Sequence, residues 1–259
     1  MTNQEAQLSS YLAIKGLLDE DTYRAFGLWD LDASVVDNLK QIEATNAIGA
    51  KSDAWLKHIV RNINQRYEID GSDRQLVELV HQGWHIDQWR PLQLWHATRQ
   101  DELLRDFLID WLFQRRNEGI VVITADAVVE YLKEITQAKL GSADAWKENT
   151  YRRAANGLLK TTTDFHLMHG RTFKEFSAYR LPEQSFIYLL YRLMERENNS
   201  RNVVHAEDWR IFLLKPNDVE EELLRLHQFG KLRFERAGSF LEITLPCNDT
   251  DEFVRSMAG

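Results

Sequence analysis

Thr124-Ala-Asp-Ala-Val-Val-Glu-Tyr-Leu-Lys-Glu-Ile135, then Gly141-Ser142, then Trp146-Lys-Glu-Asn-Thr-Tyr-Arg-Arg-Ala-Ala-Asn-Gly-Leu-Leu-Lys-Thr161 is the stretch that decides the fold. In its first run Val128, Val129, Leu132 and Ile135 recur at helical spacing, and Thr124 is placed to cap that helix. Gly141 and Ser142 are turn formers, and a second helix over Trp146–Thr161 follows directly. After Gly170, Thr172-Phe-Lys-Glu-Phe-Ser-Ala-Tyr179 has the alternating character of a short strand and is ended by Pro182. Helix, turn, helix and small strand is the order of a winged helix-turn-helix.

The same order recurs toward the C-terminus. Phe186, Leu189, Leu190 and Leu193 mark a helix over Gln184–Arg196, a short helix surrounds Trp209–Leu213, and Asp218 caps a third carrying Val219, Leu223, Leu224 and Leu226. Gly230 stops that helix as a C′ glycine does. Lys231–Arg236 and Ser239–Leu245 then alternate at period two across Ala237-Gly238, which reads as a β-hairpin.

Upstream, the pattern is helical throughout. Tyr11, Ile14, Leu17 and Leu18 form one stripe, and Leu31, Val35, Leu39 and Ile42 another. Ser52 reads as the N-cap of a helix burying Trp55, Leu56, Ile59, Val60, Ile63 and Tyr67. Arg74–Gln82 continues helical, and Pro91 is placed as a helix start, followed almost without breakers by Leu92 through Trp111. The expected fold is mainly α. A helical N-terminal domain, residues 1–110, is followed by winged helix-turn-helix-like modules at 111–182 and 183–259 with short β-hairpin wings.

Composition narrows the function classes. Only 12 Gly and 4 Pro occur in 259 residues, too few for a β-sandwich or long disordered linkers. The single cysteine, Cys247, excludes an internal disulfide framework and any multi-cysteine metal site, and it fits a reducing compartment. No run reaches the length of a membrane span, and Met1–Ser10 has no basic region leading into an apolar one, so a cytoplasmic protein is expected.

Catalytic signatures are missing. There is no phosphate-binding loop, dinucleotide fingerprint or nucleophile elbow. His81 and His85 lack the intervening Glu of a zinc protease, and Asp164, His166 and His169 form only a loose cluster. Asp101, Glu102, Asp106 and Asp110 read as a solvated helix face. No cofactor, metal or catalytic residue is expected.

Charge carries more information. The whole chain has a net charge of −8, so a polyanion must be met by local patches. Residues 1–50 hold three basic and eight acidic residues, a local −5, whereas residues 146–174 hold six basic against two acidic, a local +4. Lys147, Asn149, Thr150, Arg152, Arg153 and Asn156 are residue types that contact phosphates and base edges, and they lie where a recognition helix would. A second basic helix, residues 51–66, sets Lys51, Lys57, Arg61 and Arg66 against Asp53, with His58 and Asn62 flanking the cationic face. In the C-terminal hairpin Lys231, Arg233 and Arg236 are candidate phosphate contacts.

Lys51-Ser52, Lys57, Ile63, Arg66 and Glu68 resemble the basic N-terminal helix of BrxA, a small accessory protein family of BREX phage-defence systems. The resemblance continues through Trp95, Phe107, Trp146, Arg152-Arg153, Leu181-Pro182, Phe186, Tyr188, Trp209 and Leu223 to Gly230, and it covers roughly Ile14 to Pro246. The chain departs from the family at His58 and Asn64, where basic residues are expected. The resemblance implies a mostly helical protein with helix-turn-helix character that binds DNA, has no catalytic role and works beside a methyltransferase and an ATPase. The expectation is a non-enzymatic factor that binds double-stranded DNA, with other BREX proteins as partners and no membrane association. Two alternatives stay open: an adaptor whose modules bind proteins, with the acidic N-terminal region as docking surface, and an RNA-binding protein.

Overall fold

The computed structural model describes residues 8–141, 146–197, 199–238 and 240–257. Helices dominate it, and local signals set most of their ends. α1 (Ser10–Lys15) starts where the Ser9 hydroxyl accepts the Leu12 N–H and stops at Gly16, whose φ of +69° takes the chain out of the helix. The apolar stripe over Tyr11–Leu18 is therefore not one helix, because α2 (Asp19–Gly27) starts afresh. Ser34 caps α3 (Val35–Thr45) and Ser52 caps α4 (Asp53–Arg66), each through its side-chain oxygen. α5 (Arg74–His81) and α6 (Ile86–Ala97) complete the N-terminal helices.

Pro91 does not start a helix. α6 begins a full turn earlier, where the His85 ring accepts the Asp87 N–H, and Pro91 lies inside it. Only one intrahelical bond is lost at that proline, and burial on both flanks holds the helix together. Phe26 organises this part of the core, meeting Trp29, Tyr67 and Trp89 edge-on at 5.7, 5.7 and 5.9 Å.

The run that follows is one continuous helical rod. α7 (Glu102–Asp106), a π-helical turn (Phe107–Leu112) and α8 (Phe113–Asn117) succeed one another without a break. Its acidic residues are not simply a solvated face: Asp101 is buried as the N-cap of α7, and Glu102 and Asp106 both bind Lys139.

β1 (Val122–Ile123) leads into α9 (Ala125–Leu140), whose Thr124 cap accepts the Ala127 N–H. α10 (Glu148–Asp164) is followed by β2 (Met168–His169) and β3 (Lys174–Phe176). The expected turn residue Ser142 lies outside the described residues. These strands form an antiparallel three-stranded sheet in the order β1-β3-β2, with Val122 opposite Glu175 and His169 opposite Glu175 on the other side. The short strand expected after Gly170 is thus the central member of a sheet that also draws on Val122–Ile123.

The last elements are α11 (Glu183–Arg196), α12 (Ser200–Val204), a 3-10 turn (Glu207–Phe212), α13 (Pro216–Gln228), β4 (Arg233–Ala237), β5 (Phe240–Thr244) and α14 (Thr250–Ser256). Asp218 is not the cap of α13. It sits in the first turn, accepts the Lys215 N–H at 2.7 Å, and Pro216 opens the helix. Gly230 takes φ +68°, and the Lys231 N–H reaches back to the Leu226 carbonyl at 3.0 Å, the closing bond of a glycine-terminated helix. β4 and β5 pair as a two-stranded hairpin. α14 has no counterpart in the periodicity reading.

Buried polar bonds join the first and last parts of the chain. His96 Nδ1 lies 2.5 Å from Asp73 Oδ1 and Nε2 2.8 Å from the Tyr188 hydroxyl, while the Trp95 indole N–H donates to Asp208 at 2.6 Å. α6 consequently packs directly on α11, and the α7–α8 rod lies against the 3-10 turn.

Candidate nucleic-acid interface

α10 is held by two neighbours. On the α9 side Tyr151 is buried, its hydroxyl 2.7 Å from Thr136 Oγ1 and accepting the Trp146 N–H at 3.2 Å. On the α1 side the contact is backbone on backbone at Gly157. A Cβ there would sit 2.0 Å from the Ala13 carbonyl oxygen. Ala154, Ala155, Leu158 and Leu159 fill the space between.

Packing on both flanks leaves one stripe in solvent. Asn149, Arg152, Arg153, Asn156 and Lys160 are all exposed, and their spacing keeps them on one face. Of the six residues assigned to this helix from the sequence, Lys147 is the exposed N-cap residue and Thr150 is half-buried. Arg152 reaches Asp126 of α9 at 2.8 Å, but both side chains are more than half exposed, 53% and 77%, so the pair is loosely held.

The stripe opens into a groove of about 1100 Å³ between α10 and the N-terminal helices. Arg153, Asn156 and Lys160 form one wall, Lys15, Arg24, Lys51 and Trp55 another, and Arg90 lies at the end near His166. Several of these cations have partners: Arg24 binds Glu20 and Asp21, Arg90 binds Asp19 at 2.6 Å, and Lys160 binds Asp164. Lys15, Lys51 and Arg153 enter no ion pair among the described residues. Burial, with Lys15 and Arg61 beside it, holds the His58 imidazole below its ordinary value.

The basic helix α4 contributes less than its composition promised. Lys57 and Arg61 are exposed, with the Arg61 guanidinium 4.1 Å over the Tyr11 ring, and neither lines the groove. Arg66 is not a surface cation. It is 1% exposed, donates to Asp101 at 2.9 Å and to the Leu12 carbonyl at 2.8 Å, and no phosphate can reach it. Asn62 does not flank a cationic face either: it is fully buried and donates to the Gly16 carbonyl at 3.0 Å. The sequence held the signal, since Ile59, Ile63 and Arg66 stand at i, i+4 and i+7 and therefore share the buried face.

In the C-terminal hairpin every basic residue has an acidic neighbour. Lys231 lies 3.8 Å from Glu183, Arg233 pairs with Glu235 on its own strand, and Arg236 pairs with Glu220. The connection between β2 and β3 carries exposed Arg171 and Phe173, while Lys174 donates to the Gly170 carbonyl at 2.6 Å. Burial lowers the Lys174 ammonium from its ordinary value, with Asp164 opposing and Lys160 adding to the effect, and the β2 strand that leads into this connection packs on α10. Lys15 and Arg90 were invisible as site residues, because only the fold brings positions so far apart in sequence to α10.

His81 Nε2 lies 3.0 Å from the Phe26 carbonyl, and His85 caps α6. Among the described residues no group of three metal-ligating side chains is gathered, and none of the helices they form is long and apolar enough to cross a membrane.

A family model described as BrxA matches residues 7–192. No curated protein matches the chain.

Proposed function

The chain belongs to the BrxA family, and from that premise we propose that it is a non-enzymatic accessory factor of a BREX-type phage-defence system that acts in the cytoplasm by binding double-stranded DNA. The observation that carries this reading is the exposed stripe of α10. Arginine and asparagine are the side chains that pair with guanine and adenine edges in the major groove, and lysine and arginine are the usual phosphate contacts. The order α7–α8 rod, β1, α9, α10, β2, β3, with the sheet order β1-β3-β2, supports a winged helix-turn-helix in which α10 is the recognition helix. Lys15 and Lys51 extend the basic surface beyond the helix. They lie on a different segment of the chain, so they would hold backbone without reading sequence.

The experiment is a fluorescence-anisotropy series with duplex DNA, single-stranded DNA and duplex RNA across salt concentrations. Duplex DNA is expected to bind tightest. Neutralising four to six phosphates gives a log–log salt slope of about −3.5 to −5.5. Salt-independent affinity, or no duplex binding even at low salt, overturns the reading.

One observation favours a protein-docking role for the C-terminal module. Leu224, Phe229 and Phe240 are exposed on α13 and β5, in the part of the chain beyond the family match. With the hairpin cations neutralised, that surface suits a protein partner of the defence complex better than a phosphate backbone.

A further inference from the structure

We propose that Phe173 is an apolar wedge that enters the minor groove beside the DNA-bound α10 and unstacks a flexible base step. This rests on the duplex-binding reading above and adds to it a mode of DNA deformation and a class of preferred site.

Phe173 stands at the tip of the connection between β2 and β3 and is 61% exposed. A lone exposed aromatic is common on protein surfaces, so its setting decides the argument. The tip is braced. Gly170 takes φ +101°, and a Cβ there would lie 2.2 Å from the Phe173 carbonyl oxygen, so only glycine permits this turn. The Lys174 ammonium closes it from the other side. β3 is the central strand of the sheet and is fixed by ladders to both β1 and β2. The phenyl ring is therefore held out from a rigid hairpin.

Its surroundings are cationic. Arg171 lies two residues before it and Lys174 directly follows it, while the Lys160 ammonium in the last turn of α10 is held by Asp164. The other exposed phenyl rings lack this setting. Phe229 has the Arg225 guanidinium 5.5 Å from its ring, but that cation is held by Glu183 and Glu222, and Phe240 belongs to the hairpin whose cations are paired with carboxylates. An apolar side chain between Arg171 and Lys174, on a hairpin whose β2 strand packs on the helix that presents base-reading groups, is the arrangement minor-groove wedges use. Such side chains partly unstack one step, and flanking cations hold the bent backbone. Pyrimidine–purine steps such as TA yield most easily, and A-tracts resist.

The test uses the full-length protein and two duplexes carrying 2-aminopurine, one at a central TA step and one inside an A-tract. Its emission rises when the base leaves the stack. At saturation, wild-type protein is expected to raise emission about twofold or more on the TA duplex and little on the A-tract. Phe173→Ala is expected to abolish the rise and weaken TA-duplex binding about fivefold. Its salt slope should stay unchanged, because no charge is removed. Phe173→Leu, which keeps an apolar wedge, should restore the signal. Equal emission with wild type and Phe173→Ala on saturated duplex overturns the wedge while leaving duplex binding intact, and assigns the ring to a protein contact. Absence of any duplex binding by wild type overturns both.

Discussion

Arg66→Ala is expected to lower the free energy of unfolding by about 3–5 kcal/mol. The guanidinium ties three separate segments together. One terminal nitrogen donates to the Asp101 carboxylate at 2.9 Å, and the other donates to the carbonyls of Leu12 in α1 at 2.8 Å and of its C-cap Gly16 at 3.3 Å. Asp101 in turn caps α7 by accepting the Leu104 N–H at 3.0 Å. Truncation leaves a carboxylate that is 4% exposed without its counter-charge and strips donors from the end of α1. For a chain of this size the melting temperature should fall by roughly 10 °C or more. The mechanism predicts a partial rescue. Arg66→Met combined with Asp101→Asn removes both charges while keeping an oxygen to cap α7, so it should be more stable than Arg66→Met alone. Calorimetry of the three variants checks this, and wild-type stability in Arg66→Ala would show that the buried pair does not hold.

Gly157→Ala is expected to destabilise the protein by about 2 kcal/mol even though alanine is the better helix former. In an open helix the exchange gains up to about 1 kcal/mol. Here the new Cβ meets the Ala13 carbonyl oxygen at 2.0 Å, the Ala13 carbonyl carbon at 2.9 Å and the Ile14 Cα at 3.0 Å. All three are backbone atoms, so relief requires α1 to move off α10, and overpacking of this kind costs about 1–3 kcal/mol or more. The neighbouring Asn156→Ala, on the exposed stripe, is the control and should leave the melting temperature nearly unchanged. If Gly157→Ala raised it instead, α1 would not be seated on α10, and the groove between them would lose its wall.

These two positions show where the sequence can be read and where it cannot. Ser52, Thr124 and Gly230 announced their roles because a cap or a terminating glycine acts over three to five residues. The C-terminal hairpin was legible for the same reason, as its two strands are joined by a tight turn. The stripe on α10 was legible because its polar side chains keep helical spacing. Asn62 and Gly157 were not, since each answers to a partner more than 40 residues away: Gly16 and Ala13. Composition alone counted Arg66 as a surface cation, and only its place on the buried face of α4 said otherwise. Pro91 misled because proline at a helix start is the commoner case, while here the His85 cap sets the start one turn earlier. The groove could not be read at all, because Lys15, Lys51 and Arg153 come together only when α1 seats on Gly157.

The most direct test of the account compares wild type with Arg152→Ala plus Arg153→Ala on the same duplex at three salt concentrations, alongside their melting temperatures. Both side chains are exposed, and the one ion pair lost, Arg152 with Asp126, lies in solvent, so the fold should be unaffected. Removing two phosphate or base contacts should weaken binding at low salt by about tenfold or more and make the salt slope shallower by about two. A double variant that melts like wild type and binds with unchanged affinity and slope would contradict the assignment of α10 as the DNA-contacting helix.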